Sequence, residues 1–182
     1  MPNVKILECP QALWLGDVGY SSAGVCYYMS EYVEEKVWGD VASFKEAVEA
    51  AEKAVPQTII NAGKAKNLRD RAGDAVPQIA IEDYSRPAGG LDDETMYRVI
   101  MWFGKQDENP TNASSVNHEA IAIAGSGGHA VYFEPNFGFY RCENVAAGWN
   151  NRRALEQYID SLYQPGSYAT NLSYRKIRKL KH

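Results

Sequence analysis

Two apolar runs separated by a glycine-rich break set the tightest limit on what this chain can fold into. His118-Glu119-Ala120-Ile121-Ala122-Ile123-Ala124 is followed by Gly125-Ser126-Gly127-Gly128, then by His129-Ala130-Val131-Tyr132-Phe133-Glu134-Pro135-Asn136-Phe137-Gly138. Apolar segments of this length around glycines read as an antiparallel hairpin. Side chains alternate across a strand, so the parity of the loop decides which residues share a face. An odd loop of three or five residues centred on Ser126 pairs residues whose numbers sum to 252. His118 then lies opposite Glu134, with Cβ atoms about 5 Å apart. A carboxylate there accepts the imidazole N–H, fixes its tautomer and stabilises the imidazolium, leaving the other ring nitrogen for a nucleophile. An even loop pairs Glu119 with Glu134 instead.

Cys26 supplies that nucleophile. It lies in Gly24-Val25-Cys26-Tyr27-Tyr28-Met29-Ser30, where the small residues Ser21, Ser22, Ala23 and Gly24 run into a helical pattern reaching Lys36. Unpaired N–H groups and the helix dipole at such a position favour a thiolate. Cys9 and Cys142 sit on apolar, strand-like stretches and read as small core residues. Of the three histidines, His182 is terminal and His129 stands beside the hairpin turn. Glu134 is five residues along the strand from His129, roughly 16 Å at the rise of a strand. His118 is therefore the base, Cys26 the nucleophile and Glu134 the orienting acid.

The blocks G-V-C-x-x-M-S, H-x-A-x-A-I and F-E-P-N-F-G together resemble the YopT-type cysteine proteases, papain-like enzymes that bacteria deliver into host cells. In that family the His and the acid lie on neighbouring strands and the acid opens a D-P-N-x-G segment. The spacing of 16 residues between His118 and Glu134 suits it, and Glu134 stands where the family usually has Asp. A longer carboxylate also orients a histidine, as in Ser-His-Glu enzymes. The resemblance implies a papain-like α+β fold, with a helical half carrying the nucleophile helix packed on a C-terminal antiparallel sheet. It also implies a secreted virulence effector whose protein substrate is a membrane-associated host protein. Papain-like enzymes add to the nucleophile's own N–H a side-chain amide a few residues earlier as oxyanion donor. Between Asn3 and Cys26 the sole such amide is Gln11, and Ser21 or Ser22 is the alternative donor.

Composition suits a compact carrier for this site. A chain of 182 residues, 45% hydrophobic and 23% charged, can bury one sizeable core, so a single domain spanning 1–182 is expected. Three cysteines at positions 9, 26 and 142 give neither a disulfide framework nor a metal pattern, so no cofactor and no metal are expected. No window approaches a membrane span, and the N-terminus lacks the pattern of a Sec signal, so a soluble bacterial protein is expected. A net charge of −4 argues against general nucleic-acid binding. The tail nevertheless gathers Arg175, Lys176, Arg178, Lys179 and Lys181, five basic residues in seven positions. They suit weak contact with an anionic membrane surface or the solvated end of an edge strand.

Along the chain, the patterns predict helices over 25–36 and 43–54, the second behind a Ser43/Glu46 capping box. A further element over 56–71, a loop over 74–90 with a short strand at 78–81, and a helix over 91–103 opened by Asp92, Asp93 and Glu94 come next. A polar loop over 105–117 precedes the hairpin. A helix over 150–163 and a last strand over 168–177 complete the chain. The expected activity is that of a cysteine endopeptidase working through an acyl-enzyme with a Cys-His-Glu triad. Because the same groups serve any amide, a peptidoglycan amidase or a glutamine deamidase is the alternative. An inactive papain-like binding module is the alternative outside enzymes.

Overall fold

The computed structural model describes residues 4–10, 25–55, 59, 83–104, 118–143, 148–163 and 169–181. Its frame is one six-stranded sheet, all antiparallel, in the order β1-β5-β4-β3-β2-β6. The strands are β1 (Val4–Glu8), β2 (Thr95–Gly104), β3 (His118–Ala124), β4 (Ala130–Glu134), β5 (Gly138–Cys142) and β6 (Ala169–Lys179). Three α-helices accompany them among the described residues: α1 (Val25–Tyr32), α2 (Phe44–Lys53) and α3 (Asn151–Leu162). The fold class is α+β.

Helices cover both faces of the sheet, which explains why its central strands are apolar throughout. Ile121, Ile123 and Phe133 pack with Met29, Val33, Ala47 and Trp38 from the α1 and α2 side. Ala120, Ala122 and Tyr132 pack with Leu155 and Ile159 of α3 on the other. Every residue of β3 and β4 is buried. Strands buried on both faces lose the alternation that marks a half-exposed strand.

That loss accounts for one misreading: 91–103 is not a helix. Thr95–Gly104 forms β2, the strand between β3 and β6. The acidic residues that imitate a helix start have other work. Asp92 pairs with Lys176, and Asn151 Nδ2 donates to Asp93 Oδ1 at 3.3 Å. The Glu94 carboxylate accepts the Phe44 N–H at 2.8 Å, so it caps α2 rather than a helix of its own. Ser43 caps the same helix as expected, accepting from Glu46 N at 3.2 Å, while the Glu46 carboxylate reaches back to Ala42 N at 2.7 Å.

The 25–36 pattern divides. After α1 the chain widens into a π-helical turn, Val33–Val37, which ends as Trp38 N donates to Val33 O at 2.9 Å. Arg178 of β6 closes that end by donating to Trp38 O, Gly39 O and Val41 O at 2.8, 3.1 and 3.0 Å. The basic tail is thus not one free patch: Arg178 serves the fold, Lys176 pairs with Asp92 and Arg175 lies over the Tyr84 ring. The helix over 150–163 forms as α3 with Asn150 as its cap, and the last strand forms as β6. The element over 56–71, the strand at 78–81 and the loop over 105–117 lie outside the described residues, Ile59 aside. Among the described residues no helix is long and apolar enough to cross a membrane.

Candidate active site

The β3–β4 hairpin has an odd loop, as the shared face of His118 and Glu134 requires, but its centre is displaced by two in the pair sum. Ala124 pairs with Ala130 and Ile121 with Phe133, so partners sum to 254 and the loop is residues 125–129. Gly127 and Gly128 take φ of 62° and 85°, and Gly125 N donates to His129 O at 2.8 Å. The turn is centred on Gly127 because glycine enters the left-handed region without the cost a serine bears. In this register Glu134 falls opposite Ala120, and His118 lies one diagonal away on the same face.

The diagonal is bridged. His118 Nε2 and Glu134 Oε1 form a direct contact, and both residues are buried, at 6% and 0% exposure. Asn136 N also donates to Glu134 Oε1 at 3.2 Å. The segment that holds the acid is a tight turn in which Phe137 N donates to Glu134 O at 2.9 Å, followed by Gly138 at φ 124°. A Cβ at Gly138 would come within 2.1 Å of Leu7 O. The glycine of F-E-P-N-F-G therefore lets β1 lie against this turn.

Cys26 reaches the pair from the other layer. It is the second residue of α1, so its N–H has no acceptor within the helix. One turn later Ser30, fully buried, donates to Glu119 O at 3.3 Å and fastens α1 to the start of β3. Cys26 occupies the same face of the helix four residues earlier. Its half-buried thiol hydrogen-bonds to the His118 ring. With Nε2 engaged by Glu134, Nδ1 is the ring nitrogen left for sulfur. Burial works against a charged ring, but the Glu134 charge and the bonds to Cys26 and Glu134 outweigh it, pushing His118 up to about 10.

The sequence reading missed the group that closes the site on the α3 side. Tyr163, at the C-terminal cap of α3, has its hydroxyl 3.4 Å from His118 Nε2. That hydroxyl accepts from Asn136 Nδ2 at 2.8 Å. Burial and the Glu134 charge hold its phenol above the usual range, so it stays protonated. Nothing local marks Tyr163, because only the packing of α3 along the sheet brings it to the hairpin. A second polar cluster lies on the α1 side. Arg98 and Arg175 are cross-strand partners, an arrangement of like charges that Glu34 and Glu119 offset. Arg98 Nε is 2.5 Å from Glu34 and Nη1 3.3 Å from Glu119. Burial pushes Glu119 up to about 7, against the pull of Arg98 and Arg175.

Other residues singled out from the sequence fall elsewhere. His129 is exposed at the hairpin turn near Phe44, at the far end of the ladder from Glu134. Cys9 and Cys142 are buried in the two cores, and burial pushes the Cys142 thiol up to about 12. Ser21, Ser22 and Gln11 lie outside the described residues. A hollow of about 400 Å³ lined by Leu91, Trp149, Asn151 and Gly127 also sits at the hairpin-turn end. Its Asn151 side chain is committed to Leu91, Asp93 and Gly125. Among the described residues no group of three or more His, Cys, Asp or Glu side chains could hold a metal ion. The chain matches no protein-family model, no curated protein and no solved structure.

Proposed function

We propose that this chain is a papain-like cysteine endopeptidase in which Cys26, His118 and Glu134 are nucleophile, base and orienting acid. One observation carries the reading: a half-buried thiol at a helix start bonds an imidazole whose Nε2 is held by a fully buried carboxylate. That is the arrangement covalent acyl transfer requires. His118, held as imidazolium by Glu134, already carries the proton that the thiol gives up when sulfur attacks the carbonyl carbon. The N–H of Cys26 is available to the oxygen on which negative charge develops. Collapse of the tetrahedral adduct breaks the C–N bond, and His118 gives its proton to the leaving amine. Water then attacks the thioester with His118, neutral after that transfer, as base, which releases the acid and restores the resting Cys26–His118 pair. The resemblance to YopT-type effectors supports a protein substrate, a membrane-associated host protein, and release of the enzyme into a host cell.

Iodoacetamide labelling followed by mass spectrometry tests the nucleophile. Rapid stoichiometric modification of Cys26 alone is expected, with the rate collapsing in His118→Ala. Equal, slow labelling of all three cysteines would favour a binding module. Parallel digestion of a host-cell lysate and of purified peptidoglycan, scored for new termini, tests the substrate. New protein N-termini support the endopeptidase, and cleavage of peptidoglycan alone transfers the site to an amidase.

A further inference from the structure

We propose that Tyr163 is a positioning residue for the His118–Glu134 pair, its hydroxyl oriented by Asn136 and donated to the Glu134 carboxylate. The inference deepens the proposed function and rests on it for its consequence in turnover, but the geometry stands without it. The hydroxyl has one proton and accepts one from Asn136 Nδ2 at 2.8 Å. Its own proton lies near His118 Nε2, at 3.4 Å, and near the Glu134 carboxylate, whose buried Oε2 lacks a hydrogen-bond partner among the described residues. Nε2 carries its own proton toward Glu134, so it offers no lone pair, and the carboxylate is the acceptor. The ring also packs edge-on to His118, with centroids 6.3 Å apart, and against Phe137 at 5.4 Å. Tyr163 thereby packs against the His118–Glu134 pair from the end of α3.

The chemistry follows from competition for one carboxylate. Two donors, Asn136 N and His118 Nε2, meet Glu134 at Oε1, its Oε2 is buried without a partner among the described residues, and the Tyr163 hydroxyl is the third donor assigned to this carboxylate. Each donor draws charge from the carboxylate and lessens its hold on the imidazolium. The hydroxyl thus keeps His118 from binding its proton so tightly that it cannot return it to the leaving amine. Asn136 sets the direction of that bond, linking the F-E-P-N-F-G turn to the end of α3.

The test reads the imidazole directly. His118 is titrated by NMR in the full chain labelled with ¹³C-histidine, the signal assigned by removing His129 and His182 in turn, in wild type and Tyr163→Phe. The phenyl keeps the packing and removes only the hydroxyl. A rise in the His118 midpoint by about one unit is expected, the tenfold change that a lost hydrogen bond to a charged group brings. An unchanged or lowered midpoint overturns the proposal. In a double-mutant cycle, Asn136→Ala should raise the midpoint in the wild-type background and add nothing once the hydroxyl is gone. Additive shifts also overturn it. Because these readings need no substrate, they fail independently of the peptidase assignment. Where turnover is measured, kcat should fall about tenfold in Tyr163→Phe with KM unchanged.

Discussion

Glu134 meets His118 on the diagonal of the β3–β4 ladder, because the register places Ala120 opposite it. Diagonal neighbours on a sheet are about 7–8 Å apart, so the length of the acid matters. An aspartate is shorter by one methylene, about 1.5 Å of reach. Glu134→Asp should therefore lose the contact with Nε2 although it restores the residue usual in YopT-type enzymes. We expect it to lower kcat by roughly tenfold or more, and Glu134→Ala by roughly 10² to 10⁴. Full activity in the aspartate variant would show that the diagonal does not limit the site.

The two other members differ in what their removal should do. Cys26→Ala should abolish turnover and leave the melting temperature nearly unchanged, since the side chain is half-buried and lies at the start of α1 rather than in a core. His118→Ala should be comparably damaging to turnover. It should also destabilise, because it leaves the fully buried Glu134 without its cationic partner. His129→Ala should be silent in both measurements, being exposed at the hairpin turn. A damaged His129 variant with a normal His118 variant would reverse the choice of imidazole.

What the sequence disclosed of this site depended on how local each signal was. The pairing of His118 with Glu134 was legible because parity alone puts them on one face, and any odd loop preserves it. The register was not, because it turned on whether Ser126 or Gly127 stood at the centre of the loop, and only the positive φ of Gly127 decides that. The sequence of β2 reads as a helix because a strand covered on both faces shows no alternation and Asp92, Asp93 and Glu94 precede it. Tyr163 and the Arg98–Glu119 pair are nonlocal, joined to their partners across 45 and 21 residues.

Stability should fall as the pH rises through two windows. Glu119 has a folded pKa raised to about 7 from 4.5, so the native state holds its proton where the unfolded chain has lost it. Between these values the native state binds more protons, and stability declines with pH. His118 is raised from 6.5 to about 10, so its contribution is fully present below 6.5 and is lost as pH climbs through about 10. Urea unfolding from pH 4.5 to 10 should thus show Glu119→Gln differing from wild type by a pH-dependent amount confined to the lower window. Glu134→Gln should act in the upper one. A pH-independent offset in either variant would contradict the assignment of that group.

The turn that carries the acid should be the most sensitive backbone position near the site. Gly138 combines φ of 124° with a Cβ position 2.1 Å from Leu7 O and 2.7 Å from Cys9 N, both main-chain atoms of the neighbouring segment. A side chain there incurs the strain of a disallowed backbone, about 1–3 kcal/mol, and forces β1 away from β5. Because Glu134 pairs with Gly138 in the β4–β5 ladder, the same displacement reaches the carboxylate. Gly138→Ala should lower stability by at least about 2 kcal/mol and reduce turnover beyond what the unfolded fraction explains. Gly89→Ala is the control, with nothing within 4 Å of its Cβ position, and it should change neither. Equal stabilities of the two alanine variants would mean that β1 does not pack against the turn as described.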